Sequence, residues 1–280
     1  IMREIVLRSA LWQSCFECSW RAVWRMRWSQ CLMLKSIHRN RRRLAHWFAM
    51  RRLIPKLHPL CPGKEFLRFG PDRDGGYLIP NDLEGISACF SPGVSSESGF
   101  EYDCAMAGMK VMLADASVDA PAANHDGFNF TPMHISGRRK GGFLCFEDWV
   151  KDAMAEDDGD LMLQMDIEGA EYGVLRHTSA ALLRRFRIMV IEFHHLQLLK
   201  PRMVRVFHKL LESHHCVHLH PNNYAPLYQL RELEIPSVME FTFYRKDRIS
   251  EQVYRSDFPH SLDRDNVDTT PLELPPIWIR

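Results

Sequence analysis

The stretch that most constrains this chain is Leu161 to Glu171, LMLQMDIEGAE, where an apolar run breaks off into acid, glycine and acid. Leu161, Met162, Leu163 and Met165 show no polar alternation, the habit of a strand covered on both faces in a parallel sheet flanked by helices. Asp166 therefore falls at the carboxyl end of a buried strand. Open α/β sheets bind their ligands at that edge, so the acid is placed where chemistry is done rather than where strands are merely joined. Gly169 permits a tight turn, and Ala170 to His177 has the spacing of a short helix with Val174 and Leu175 inward.

The same alternation of strand and helix recurs. Ile86 to Phe90 reads as the first core strand, Phe100 to Ala107 as a helix stopped by Gly108, and Lys110 to Ala114 as a second strand ending at Asp115. Asn129 to Ile135 is expected to be a third strand. Phe146 to Met154 is amphipathic, Ile188 to Phe193 is a further buried strand, and Pro201 to Ser213 is a helix. Val217 to Leu219 is a short strand. Met239, Phe241 and Phe243 alternate with Glu240, Thr242 and Tyr244, which suggests an edge or antiparallel position. The pattern predicts one α/β domain over 61–250.

Residues 1–60 differ in kind. They carry 13 Lys and Arg against two acids, whereas the remaining 220 residues carry 23 against 33. The basic charge thus belongs to the N-terminal part, and the acidic body is not expected to bind nucleic acid. Five of the seven Trp lie in this part, with Trp20, Trp24 and Trp28 on one helical face beside Arg21 and Arg25. Such a helix is suited to peripheral contact with an anionic membrane, or to packing against the body or a partner. Cys15 and Cys18 form the only CxxC, too little for a zinc site, and the scattered cysteines suggest a reducing compartment. No run reaches the roughly 20 apolar residues of a membrane span, nor does a signal-type segment follow Arg3 and Arg8, so a cytoplasmic location is expected. Residues 251–280 are Pro-rich and expected to lie as an extended tail over the body, with Trp278 as an anchor.

Chemistry-bearing residues collect at predicted strand ends. Asp115 follows one strand, Asp166 and Glu168 another, Glu192 and His194 a third, and His220, Asn222 and Asn223 a fourth. One sheet edge would bring them together. Asp115 lies 22 positions after Gly93, about the separation between a nucleotide-fold glycine turn and the carboxylate that accepts two ribose hydroxyls. No GxGxxG is present, which argues against a nicotinamide dinucleotide. Phe66 to Pro80, FLRFGPDRDGGYLIP, reads as a hairpin or as a ligand-lining loop through Asp74, Gly75, Gly76 and Tyr77.

The sequence resembles the FkbM-type family of S-adenosylmethionine-dependent methyltransferases over roughly residues 65–248. The resemblance rests on QMDIEGAEY at Gln164 to Tyr172, FSPGVSSESGFE at Phe90 to Glu101, ADASVD at Ala114 to Asp119, VIEFH at Val190 to His194 and HPNN at His220 to Asn223. It implies the class I methyltransferase fold, a Rossmann-like three-layer sandwich with a mostly parallel seven-stranded sheet. It also implies S-adenosyl-L-methionine as cofactor, with Gly93 beside its methionine part, Asp115 on its ribose, Asp166 near its amino group or the transferred methyl, and Glu101 and Ser117 among its neighbours. Gln164 stands where many relatives have Lys, which leaves the substrate's charge preference open.

Methyl transfer to a hydroxyl requires an oriented acceptor and a group to take its proton. His194 or His220 is suited to the proton, and Glu168 and Glu192 to orientation; His195 reads as structural. The expected reaction is O-methylation of a sugar, glycan or other polyhydroxylated small molecule. One alternative adds a divalent cation on Asp166, Glu168, His194 and Asn222. Another is a non-catalytic domain that keeps the cofactor pocket. Oligomeric state is left open.

Overall fold

A computed structural model describes residues 43–94, 96–198 and 200–280. The Trp- and Arg-rich segment up to residue 42, with its CxxC, lies outside them. The chain divides into two units, Ile1–His46 and Trp47–Arg280, and the main sheet and its two packed faces belong to the second.

In chain order the elements are helix α1 (43–53), strands β1 (Phe66–Phe69), β2 (Tyr77–Pro80) and β3 (Ile86–Pro92), helix α2 (Gly99–Met106), β4 (Lys110–Ala114), β5 (Phe128–Thr131), β6 (His134–Ser136), β7 (Phe143–Cys145), α3 (Phe146–Ala153), β8 (Asp160–Met165), α4 (Glu171–His177), α5 (Ala180–Leu183), β9 (Phe186–Phe193), α6 (Pro201–Ser213), β10 (His214–Pro221), β11 (Leu227–Leu230), β12 (Leu233–Pro236) and β13 (Met239–Arg245). Seven strands form one sheet in the order β10-β13-β9-β8-β3-β4-β5. The five from β9 to β5 are parallel, and β13 runs antiparallel between β9 and β10. This is the expected class I methyltransferase arrangement. Chain order reverses between β3 and β8, where an open sheet forms its ligand crevice.

Burial on both faces follows from the strand sequences. Leu161, Leu163 and Met165 of β8 join Phe90, Ile191 and Phe193 in a core with Trp149, Val150, Leu175 and Phe207 from α3, α4 and α6. Met162, on the other side of the pleat, packs with Cys89, Val111 and Val190 beneath α2 and the β1–β2 hairpin. Each fully buried side chain of this kind contributes about 1.5–3 kcal/mol.

Several expectations change in detail. The strand expected over 129–135 is two, because β5 ends at Thr131 before Pro132 and β6 pairs with β7 instead. β13 is antiparallel, as its alternation suggested, but interior rather than at the edge. Its polar half is covered: Thr242 Oγ1 donates to Leu78 O and Tyr244 Oη to Asp82 Oδ2. Trp47, Met50, Leu53, Ile54 and Leu57, all within the segment read as a basic extension, join the main core. Trp278 is fully buried and donates from Nε1 to Glu234 O. Among the described residues no helix is long and apolar enough to cross a membrane.

The amino edge of the sheet is a set of paired charges. Arg187 meets Asp82 and Asp160, Arg245 meets Asp160, and Arg248 meets Asp82. Nearby, His214 is fully buried, with Nε2 donating to Phe186 O and Nδ1 accepting from Ser213 Oγ. Burial pushes its pKa down to about 4. The unfolded chain takes up that proton near the ordinary value of about 6.5, so stability present above pH 6.5 drains away as pH falls toward 4. Urea unfolding should show a loss of about 2 kcal/mol from this ring between pH 7 and pH 5, absent in His214→Gln. Identical pH dependence in that variant would exclude the assignment.

Candidate active site at the carboxyl edge of the sheet

The DIEGAE turn is built by its last residue. Glu171 opens α4, is fully buried, and its Oε1 accepts from Ile167 N and Gly169 N, each at 3.0 Å. Those two bonds draw the chain back on itself. Glu168 (φ 55°) and Gly169 (φ 97°) therefore both take left-handed conformations, a cost of about 1 kcal/mol or more for the non-glycine residue. The same Glu171 oxygen faces His194 Nδ1 at 3.2 Å. As a carboxylate only accepts, Nδ1 carries the hydrogen, and Nε2 is the nitrogen turned to the cavity.

Nε2 faces three more carboxylates: Glu168 Oε2 at 3.4 Å, Glu192 Oε1 at 3.6 Å and Asp166 Oδ1 at 3.8 Å. Glu192, next to the last residue of β9, accepts from Asn222 Nδ2 at 3.2 Å. These side chains line a cavity of about 770 Å³ together with Asp74, and among the described residues no Lys or Arg lines it. The amino edge pairs its charges; the carboxyl edge concentrates one sign of them. Burial, reinforced by Glu171 and Glu168 against the opposing pull of His194, pushes Asp166 up to about 7. Burial and the Asp166, Glu240 and Asp74 charges raise Glu192 well above the usual range. Burial alone would lower His194, but the Glu171 hydrogen bond and the nearby acids together outweigh it and raise the imidazole.

The cofactor-side candidates stand next to this cluster. β4 and β8 both run parallel to β3, so Asp115 and Asp166 leave the sheet at one edge, on either side of Gly93. Gly93 N donates to Ala114 O, its φ is +93°, and a Cβ there would sit 1.6 Å from Asp166 O. Only glycine fits. Asp115 is mostly buried, and its Oδ1 accepts from Ser117 N at 2.7 Å. A carboxylate fixed at the end of the strand beside a glycine turn suits an adenosyl ribose, so these residues fit the cofactor that the sequence implies.

Other predicted residues lie elsewhere. Glu101 is sealed beneath the sheet edge, where its carboxyl meets Ser91 Oγ. The single Ser91 hydroxyl hydrogen has two acceptors within reach, Glu101 Oε1 and Gln164 Oε1, the latter at 2.8 Å. Burial pushes Glu101 up to about 7, against the opposing pull of the Ser91 hydrogen bond. Gln164 also donates to Tyr77 Oη at 3.4 Å, so both are interior polar groups rather than acceptor contacts. Residues 66–80 form the expected hairpin with Gly75 and Gly76 in its loop, and of that loop Asp74 alone lines the cavity.

His220 does not join the cluster. Still inside β10, it points with His218 toward Asp263 and lines a separate cavity under the tail. Asn222, past the strand end, does reach the site. Asn223 instead bonds the tail, donating to Val267 O and accepting from Val267 N. His195 lines the cavity as well, at φ 57°.

Three residues escaped sequence reading. Glu171 was visible only as a second acid five positions after Asp166. Asn266, from the tail, donates to both Asp74 Oδ1 and Glu240 Oε1 at 3.0 and 2.8 Å, and so ties the tail to an acid of the cavity lining. Glu240 is buried there, and burial pushes it up to about 8.

No curated protein matches the sequence. A solved structure of the 1,6-didemethyltoxoflavin-N1-methyltransferase of Burkholderia thailandensis, with bound 1,6-didemethyltoxoflavin and S-adenosylhomocysteine, is 13% identical. The match covers 76% of this chain and 85% of that one with a TM-score of 0.30, too loose a likeness to bear on chemistry. Residues 149–216 match the family model of the methyltransferase FkbM domain. They hold β8, the DIEGAE turn and β9 through His194, so the segment that builds the acid–histidine cluster is the one identified as methyltransferase FkbM domain, and it supports a methyltransferase enzyme.

Proposed function

We propose that the protein is an S-adenosylmethionine-dependent O-methyltransferase acting on a sugar or other polyhydroxylated small molecule. One arrangement carries the proposal: Asp115 and Asp166 leave the same sheet edge on either side of the glycine turn at Gly93, and Asp166 lines a cavity large enough for a small acceptor. Asp115 and the Gly93 backbone would hold the cofactor, which when bound supplies an electrophilic methyl group. Asp74, Glu192 and Asn222 offer hydrogen-bond partners to several hydroxyls at once.

His194 acts on the acceptor hydroxyl through Nε2, the atom that Glu171 turns to the cavity. It does so either by taking the proton directly or by holding a cation that makes the hydroxyl more acidic. The test is incubation with the labelled cofactor and a panel of monosaccharides, glycosides and polyols, read by mass spectrometry. Transfer of one methyl group to an oxygen is expected. Binding of S-adenosylhomocysteine without transfer to any acceptor would favour a non-catalytic domain instead.

A further inference from the structure

We infer that Asp166, Glu192 and His194 form a binding site for one divalent cation, with its remaining positions open to adjacent hydroxyls of the acceptor. The inference deepens the methyltransferase reading and rests on it only for the identity of the hydroxyl ligand.

One ligand atom from each of the three residues lies within 4.8 Å of the other two. His194 Nε2 is 3.6 Å from Glu192 Oε1 and 3.8 Å from Asp166 Oδ1. Those separations exceed a hydrogen bond of about 2.7–3.2 Å. They are close to the roughly 3.5 Å between two ligands held about 2.1 Å from one tetrahedral ion, so small side-chain adjustments would close the set.

A second observation points the same way. Glu192 is 4% exposed, and its Oε2 has no hydrogen-bond partner; Asp166 Oδ1 is likewise buried without one. A buried carboxylate oxygen left unmatched is costly unless something positive meets it. Among the described residues no Lys or Arg lines the cavity. The surroundings also resemble the outer layer of a metal site. Glu171 fixes the histidine ring through Nδ1, which leaves Nε2 to the cavity, and Asn222 holds the Glu192 carboxylate through Oε1.

Two carboxylates and one imidazole suit a divalent ion such as Mn²⁺, Mg²⁺ or Zn²⁺, and three protein ligands leave positions for substrate. A hydroxyl bound to the ion loses its proton more readily, and Glu168, exposed beside Nε2, is placed to accept it.

The test uses the full chain stripped of metal and titrated with Mn²⁺ by electron paramagnetic resonance and calorimetry, with S-adenosylhomocysteine titrated into the same samples. One Mn²⁺ per chain is expected, displaced by Mg²⁺ or Zn²⁺, with affinity weakened at least about tenfold in both Glu192→Gln and Asp166→Asn. Thermal melts establish which variants are folded, and Asn222→Ala, outside the ligand set, should weaken Mn²⁺ less than either. Absence of binding up to about 1 mM, or unchanged affinity in a folded ligand variant, overturns the site. Binding of S-adenosylhomocysteine without Mn²⁺ binding would remove the cation alone. Mn²⁺ binding without S-adenosylhomocysteine binding would keep the cation and remove the methyltransferase reading.

Discussion

His194→Gln should lower single-turnover methyl transfer by about 10²–10⁴-fold, the usual contribution of a positioned proton-transfer group, while cofactor affinity stays within about threefold. The magnitude follows from how much of the site converges on one ring. Nδ1 is fixed by a fully buried glutamate, which itself closes the turn carrying Asp166 and Glu168, and Nε2 faces three of the four cavity acids. Glutamine keeps a polar group near Glu171 but places no nitrogen lone pair where Nε2 stands. The same loss is expected whether the ring takes the proton or holds a cation. An unchanged rate with normal cofactor binding would remove His194 from the chemistry.

Gly93→Ala is the second large effect, and it acts on fold and site together. The added methyl would meet Asp166 O at 1.6 Å, and the φ of +93° is strained for any L-residue. The neighbour is backbone at the end of β8, not a side chain that can swing away, and Asp166 N is itself bonded to Pro92 O. Overpacking of about 1–3 kcal/mol and backbone strain of similar size combine, so urea unfolding should show a loss of about 3 kcal/mol or more. Any folded fraction should bind cofactor poorly, because β3 and β8 must part at the edge where Asp115 and Asp166 emerge. Wild-type stability would mean that Gly93 is not wedged against Asp166.

The legible parts of the sequence were those with a local physical signal. Buried strands such as β8 read correctly because an unbroken apolar run needs cover on both faces, and Asp115, Asp166 and Glu192 follow from where those runs stop. Side-chain direction at a strand end was harder. His220 and Asn222 are two positions apart, yet the first is held inside β10 toward Asp263, while the second has turned past Pro221 to Glu192. Glu171 looked like an ordinary first-turn acid, since nothing in one dimension shows its carboxylate bending back to the turn and across to His194. Asn266 lies 192 positions from Asp74, and its bond to that acid depends on a tail without regular structure. Trp47 was hidden differently: basic neighbours disguised a residue that belongs to the core.

The most direct test of the central claim, that Asp115 and the Gly93 turn hold an adenosyl cofactor beside the acid–histidine cavity, is calorimetric titration of S-adenosylhomocysteine into wild type and Asp115→Ala. Loss of two charge-assisted hydrogen bonds of about 1.5–3 kcal/mol each, reduced by solvent, should weaken one-to-one binding by tens to hundreds of fold. No binding by the wild type, or equal affinity in the two proteins, would contradict the account.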